Sequence, residues 1–263
     1  MNIDRRADVT YRRATPEDYD DVVAFTSDTW ADRDGSDYIP DIYHDWIEDE
    51  DAYDEQFTCV AAVDGTVVSI AQTVLLSDRE AWCQGMRTHP DYRGVGIGLE
   101  LTHEMWDWAR EQGATVARNM VFSWNDAGLG QSMAAGFDPA TSFRWAEPAP
   151  REGTPALPVE DDPAAAWSYW TDSDDRTALA GLALDAGRSW ALSELTREEL
   201  HRLADDQRVF AIKRDGTCGM ACRVRTAAGP DDQAIAEYGV AAWADQSACD
   251  SLLDAIAADA ASV

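Results

Sequence analysis

The alternation of apolar and polar positions along the chain predicts most of its elements. Residues 9–13 alternate as a short strand, and Thr15, Pro16, Glu17 and Asp18 read as an N-cap followed by proline at the first helical position, opening a helix that runs to about Trp30. A second helix is expected over 39–49. Residues 57–63 and 67–76 are apolar, β-rich runs joined at Asp64 and Gly65, a strong hairpin signal, and 81–88 makes a third adjacent strand. Leu101, Met105, Trp108 and Ala109 fall at helical spacing and predict a helix over 99–112, closed by Gly113. A strand over 115–123, a short helix over 129–135 ended by Gly136 and a last strand over 142–145 complete the first half.

The stretch 144–162 carries Pro148, Pro150, Pro155 and Pro158, with Pro163 just beyond, and has no periodicity. It reads as a linker and divides the chain into a domain over 1–146, a linker over 147–163 and a domain over 164–263. The second half repeats part of the first order: helices over 176–190 and 196–204, strands over 209–212 and 217–224 joined at Asp215 and Gly216, and a helix over 247–260. Asp64-Gly65-Thr66 and Asp215-Gly216-Thr217 match at an offset of 151, which also brings Val240 close to Thr88 and the last helix over the helix at 99–112. A diverged duplication is expected; the plainer alternative is two α/β domains that share a hairpin.

With 263 residues, 45% of them hydrophobic, the chain can bury one large core or two domain-sized ones. Lys+Arg is 21 against Asp+Glu 50, a formal charge of −29, which argues against duplex nucleic acid or an anionic membrane as partner, since both need a basic face. Lys213 is the single lysine. An acidic, lysine-poor surface of this kind resembles the proteins of salt-loving archaea, and molar salt, with a screening length of about 3 Å, relieves the self-repulsion. No apolar run approaches the ~18 residues of a membrane span and the first nine residues are too charged for a signal peptide, so a cytoplasmic location is expected. Of Cys59, Cys83, Cys218, Cys222 and Cys249, the first four lie in or near β-like segments, where a reduced thiol packs as a small apolar group. Cys218 and Cys222 have no histidine or second cysteine pair nearby, and the four histidines are scattered, so no metal site is expected.

The stretch Thr88-His89-Pro90-Asp91-Tyr92-Arg93-Gly94-Val95-Gly96-Ile97-Gly98 carries the chemistry. It lies between a strand and a helix, where glycines let the backbone approach a ligand and the free N–H groups of the first helical turn point at it. The expected ligand is a phosphate. The Lys-Ser/Thr of a P-loop is missing, as is the early strand with an acidic residue ~20 positions on that a dinucleotide fold needs. A tight turn without a ligand explains one or two glycines but not this arrangement.

On these residues the chain resembles the GNAT superfamily of acyl-CoA-dependent N-acetyltransferases, over about residues 9–145. The family pattern Q/R-x-x-G-x-G/A after a V-x-P strand end is met by Arg93, Gly96, Gly98 and Pro90, with Thr88 in place of the valine. Arg13-Ala14-Thr15-Pro16-Glu17-Asp18 is also typical, as is Asn125 followed eleven and twelve residues later by Gly136 and Phe137. The resemblance implies an α/β (α+β) GNAT fold, a mixed central sheet flanked by helices, followed here by a smaller, incomplete GNAT-like unit. It implies acetyl-CoA as co-substrate, its pyrophosphate on the amides of Val95, Gly96, Ile97, Gly98 and Leu99 beside Arg93 and Gly94, with Asn125 also on the cofactor side. Pantetheine would pair with the strand ending at Thr88, and a backbone N–H near Met86 to Thr88 would polarise the thioester carbonyl. The implied activity is direct transfer of an acetyl group to a primary amine, of a small molecule or a protein, in a ternary complex.

Two departures matter. Ser132 stands where many relatives carry the tyrosine that protonates the departing thiolate, so water or another group serves, or the acid is dispensable, or the domain no longer catalyses. Glu80, with Asp78 behind it, is the candidate base just ahead of the central strand. At the offset position, residues 240–246 have neither glycine loop nor arginine, so the second unit is expected not to bind CoA in the family manner; it also stops just after its long helix, either because the sequence is truncated or because the unit is naturally incomplete. It would form a wall of the acceptor pocket or pair with another copy in a homodimer through an unfinished sheet edge. Trp30, Tyr38, Tyr43, Trp46 and Tyr53 belong either to the core or to the acceptor pocket, and Trp106 and Trp108 to the core. The expected function is an N-acetyltransferase; the alternative is a catalytically weak acyl-CoA-binding regulatory module.

Overall fold

The computed structural model describes residues 9–29, 36–48, 54–206, 208–229 and 233–263. The chain divides into two compact units, Met1–Asp138 and Pro139–Val263. In the first, β1 (Val9–Arg13) leads through a short turn at Pro16–Asp18 into α1 (Tyr19–Thr26) and α2 (Ile39–Glu48). β2 (Gln56–Val63), β3 (Thr66–Leu75) and β4 (Glu80–Thr88) follow, then α3 (Ile97–Glu111), β5 (Val116–Asn119) and α4 (Asp126–Ala135). The five strands form one sheet in chain order, antiparallel except for the parallel β4–β5 pair. Asp64 and Gly65 at the β2–β3 turn both have positive φ, 51° and 86°, as a tight hairpin of this hand requires.

Layering follows from period-two alternation. Val60, Val67 and Ile70 pack with Phe25 of α1 and Tyr43 and Trp46 of α2, while Cys59, Ala61, Val68, Ala71 and Cys83 face Ile97, Leu101 and Met105 of α3. Both faces of β3 are covered, so it is buried without a break from Val67 to Val74. At the entry to α1 the Thr15 N–H donates to the Asp18 carboxylate at 2.8 Å, and Arg12 holds the same group with two bonds of 2.6 and 2.7 Å. Burial pushes the Asp18 carboxyl up, but Arg12 and Thr15 outweigh it and hold it below the usual range.

The second unit has β6 (Val159–Glu160), α5 (Pro163–Asp172), α6 (Asp174–Ala178), β7 (Leu182–Leu184), β8 (Leu192–Glu194) and α7 (Arg197–Asp206). β9 (Arg208–Lys213), β10 (Thr217–Ala228), β11 (Ala234–Trp243) and α8 (Gln246–Ala260) complete it. Its main sheet runs β6-β9-β10-β11 and is antiparallel throughout; β7 and β8 pair separately. Phe210, Ile212, Cys218 and Ala221 face Ala248 and Leu252 of α8, and Val209, Ala211, Met220 and Cys222 face Trp170, Leu200 and Leu203 of α5 and α7. A leading strand, helices, three antiparallel strands with a tight Asp-Gly hairpin and a long helix occur in this order in both units, with β7 and β8 inserted among the helices of the second and β5 and α4 added after the long helix of the first.

Several elements differ from expectation. The helix expected over 176–190 stops at Ala178, because Ala180 and Gly181 take positive φ of 54° and 76° and turn the chain into β7. The proline-rich stretch joins the second unit: Val159 pairs with Ile212, and Leu157 packs with the α8 face of the sheet. α5 begins inside the expected linker, where the Asp162 side chain accepts the Ala165 N–H at 2.9 Å and Pro163 takes the first helical position. Residues 142–145 form no strand; Trp145 instead packs its ring against Trp190 at 4.7 Å. α1 ends at Thr26 and β5 at Asn119, short of Trp30 and Ser123; Trp30 and Tyr53 lie outside the described residues. Cys59, Cys83, Cys218 and Cys222 are buried and unpaired, and burial pushes the Cys83 thiol up to about 11. Among the described residues no group of His, Cys, Asp or Glu could hold a metal ion, and no helix is long and apolar enough to cross a membrane.

Candidate active site

Two local irregularities of the first unit build the site. The first is in β4. Gln84 pairs with Gln72 and Arg87 with Ile70, so Gly85 and Met86 together stand opposite Ala71 as a bulge. Gly85 has φ +67°, and a Cβ there would lie 2.3 Å from Cη2 of Trp46, so only glycine fits. Pairing between β4 and β5 ends at Cys83 and Asn119, immediately before the bulge. From Gln84 onward the two parallel strands part, leaving backbone of β4 with no partner in β5.

The second irregularity is the turn from β4 into α3. His89 Nδ1 accepts the Asp91 N–H at 3.2 Å, and Arg93 folds back so that its Nε donates to the Thr88 carbonyl at 2.9 Å. Gly94 and Gly96 take left-handed φ of 73° and 92°, and Gly96 is the N-cap of α3. The N–H groups of Ile97, Gly98 and Leu99 in the first turn therefore have no intrahelical acceptor, and they sit at the positive end of a helix of 15 residues. Gly98 is informative. Its φ is not left-handed, and a Cβ would meet only Thr88 Oγ1 at 3.5 Å and Met86 Sδ at 3.7 Å, which are ordinary contacts. The protein itself thus leaves room for a side chain there, and the missing Cβ fits an anion lying close on the helix end, as a pyrophosphate would.

The face of β4 turned toward α2 carries a different chemistry. Asp37, with its carboxylate fully buried, pairs with Arg87 at 2.6 and 3.2 Å and also accepts the Ile39 N–H at 3.2 Å at the start of α2. Arg87 lies 5.6 Å from the Tyr38 ring, whose hydroxyl burial pushes up. Tyr43 and Trp46 are core residues, the Tyr43 hydroxyl donating to the Thr15 carbonyl at 2.7 Å, whereas Tyr38 is 44% exposed. On the α3 side, Trp106 meets Phe137 at 5.1 Å and Trp108 stacks on Phe57 at 5.6 Å.

Residues 19–137 match the acetyltransferase (GNAT) family. That stretch, which lies within the first unit, is similar to the family. Among solved structures, a transcriptional regulator from Bacillus halodurans aligns at 21% identity over 53% of this chain and 99% of its own, with a TM-score of 0.45. An aminoglycoside 6'-N-acetyltransferase from Acinetobacter baumannii aligns at 15% identity over 54% and 98%, with a TM-score of 0.45. A PaiA N-acetyltransferase from Thermoplasma acidophilum, solved with coenzyme A, aligns at 18% identity over 51% and 93%, with a TM-score of 0.43. No curated protein sequence matches this chain.

Within the matched stretch, Met86, Thr88, Arg93, Gly94, Val95, Gly96, Ile97, Gly98 and Leu99 come together on the bulge, the turn and the helix end. Asn125 lies apart from them in sequence as the N-cap of α4, its Oδ1 accepting the Gly128 N–H at 3.0 Å. Ser132 is buried on α4, where its hydroxyl accepts from Asn119 Nδ2 at 2.8 Å, against the last paired residue of β5. Glu80 stands at the closed end of the β4–β5 pair. One carboxylate oxygen is ion-paired with Arg118 of β5, and the other accepts the Ser77 hydroxyl at 3.2 Å. Gln84 lies four positions further on, about 13 Å along a strand, so Glu80 braces the paired strands at a distance from their parting. Sequence reasoning missed Gly85, Gln84 and the Asp37–Arg87 pair; a glycine inside a strand pattern was the available signal for the bulge.

Proposed function

We propose that this protein transfers an acetyl group from acetyl-CoA to a primary amine, directly and in a ternary complex. The observation that carries the reading is the coincidence of the parted β4 and β5 strands with the glycine turn and the open N-terminus of α3. The thioester supplies the acetyl group; the amine nitrogen forms the new C–N bond as the C–S bond breaks. On the protein side, the amides of residues 95–99 bind the pyrophosphate and hold the thioester in register with the bulge. A backbone N–H near Met86 to Thr88 polarises its carbonyl. Glu80 serves as a brace, and the proton of the amine leaves to solvent. Ser132 is a weak acid already engaged with Asn119, so the CoA thiolate departs without help from a tyrosine-like donor.

The same reading makes the second unit a diverged copy that lacks the cofactor turn and mediates homodimer pairing. It places the protein in the cytoplasm of a salt-loving cell, away from nucleic acid and membranes. Its net charge of −29 then reports the solvent rather than the substrate, and attraction for the polyanionic co-substrate is local to the helix end. CoA affinity accordingly holds or rises from dilute to molar salt; a steep loss contradicts this reading. A second reading, an acyl-CoA-binding regulatory module, is favoured by the serine at position 132. Thiol release from acetyl-CoA in molar salt, with a panel of primary amines, separates the two. Amine-dependent release supports the enzyme, and CoA binding without release above hydrolysis rejects it.

A further inference from the structure

A line of buried polar side chains crosses the sheet beneath the parting of β4 and β5. Gln84, Gln72 and Thr58 are direct cross-strand partners on β4, β3 and β2. Gln84 Nε2 donates to Gln72 Oε1 at 2.7 Å, Gln72 Nε2 donates to Thr58 Oγ1 at 3.1 Å, and Thr58 Oγ1 donates to the Trp46 carbonyl at 3.1 Å. Gln72 and Thr58 are each 1% exposed, so every polar atom they carry needs a partner.

The direction of this chain is fixed at its inner end. Trp46 lies in the last turn of α2, where carbonyls have lost their helical partners and can only accept. The Thr58 hydroxyl must therefore give its proton to that carbonyl and present a lone pair outward. Gln72 must then turn its amide nitrogen inward and its oxygen outward, and Gln84 must do the same. The outermost atom is Gln84 Oε1, a hydrogen-bond acceptor whose orientation is set by the bond that Gln84 Nε2 donates to Gln72. Gln84 is the first residue of β4 beyond the last β5 pair, and its side chain is on the α2 face, opposite Cys83, which packs toward α3.

Resting on the acetyltransferase reading above, we propose that Gln84 Oε1 accepts an N–H of the acceptor amine and so orients its nitrogen lone pair toward the thioester, with Gln72 and Thr58 as residues that position it. Gln84 takes no proton; it selects for an acceptor that presents an N–H donor at this point. A polar line through the core would otherwise be replaceable by apolar side chains of similar volume, which tie α2 to the sheet equally well.

The test compares the wild type with Gln84→Leu and Gln72→Leu in molar salt, measuring thiol release against the best amine of a panel comprising a polyamine, an aminosugar and a peptide N-terminus, and CoA affinity by calorimetry. Gln84→Leu is expected to raise the amine KM about tenfold, the loss of one hydrogen bond of ordinary strength, with CoA affinity unchanged. Gln72→Leu, which contacts no substrate, is expected to move the amine KM in the same direction by less, because Gln84 can then turn its amide over. An amine KM unchanged in Gln84→Leu overturns the inference while leaving the activity standing. Absence of release by the wild type with every amine overturns both.

Discussion

Gly85 lies so close beneath the Trp46 indole that a Cβ would stand 2.3 Å from Cη2, and its φ of +67° is one that side chains rarely adopt. The bulge that separates β4 from β5 is thus held open by a glycine and a buried tryptophan from α2. Gly85→Ala is expected to lower stability by about 2–4 kcal/mol in chemical denaturation, from steric conflict and backbone strain together. Trp46→Leu in the same background is expected to recover only part of that loss, since the strain at φ remains. Full recovery would show that the left-handed backbone carries no cost.

Glu80 and Arg118 join β4 to β5 across 38 positions of sequence at the closed end of their pairing. Arg118→Met leaves a carboxylate that is largely buried without its cation, and is expected to destabilise the domain by about 1–3 kcal/mol. Glu80→Gln is expected to leave the pH dependence of kcat/KM in place while lowering thermal stability. Loss of the acidic limb of the profile in Glu80→Gln would restore Glu80 as the base.

The Asp18 carboxyl is held below its usual range by Arg12 and the Thr15 N–H against the cost of burial. A group with a depressed folded-state pKa stabilises at pH above its unfolded value, near ~3.9, and that contribution is lost as pH falls through the lower folded value. The stability difference between wild type and Asp18→Asn is therefore expected to be constant from neutral pH down to about 5 and to shrink below about 4. A difference that grows on acidification would contradict this sign. Denaturant titrations at a series of pH values measure it.

The parts of the fold readable in the sequence are those whose cause is local. Asp64-Gly65 and Asp215-Gly216 announce hairpins because the positive φ they need is a property of two residues, and Thr15-Pro16 announces a helix start for the same reason. Asp162-Pro163 carries the same signature as Thr15-Pro16, but the surrounding prolines mask it, so the leading strand of the second unit was read as linker and the helix that starts at Pro163 was not foreseen. The break at Ala180 and Gly181 was readable from Gly181, yet one helix over 176–190 was expected. The glycine turn was legible because its form is a pattern of adjacent residues, Gly94, Gly96 and Gly98 where a strand gives way to a helix. The Glu80–Arg118 pair was not legible because Arg118 arrives through the parallel crossover, and Gln84 carried no signal because its direction is set by Gln72, Thr58 and an α2 carbonyl that only the register brings together.

The most direct measurement uses Gly98, the glycine that the protein's own packing does not require. Gly98→Ala is expected to keep or raise thermal stability, by up to about 1 kcal/mol, because alanine favours the helix and its Cβ meets only ordinary contacts. It is expected to weaken CoA binding at least tenfold by calorimetry in molar salt, because the methyl group fills the space in which the pyrophosphate approaches the α3 amides. A folded Gly98→Ala protein that binds CoA as tightly as the wild type would contradict the placement of the co-substrate on this helix end, and the acetyl-transfer reading with it.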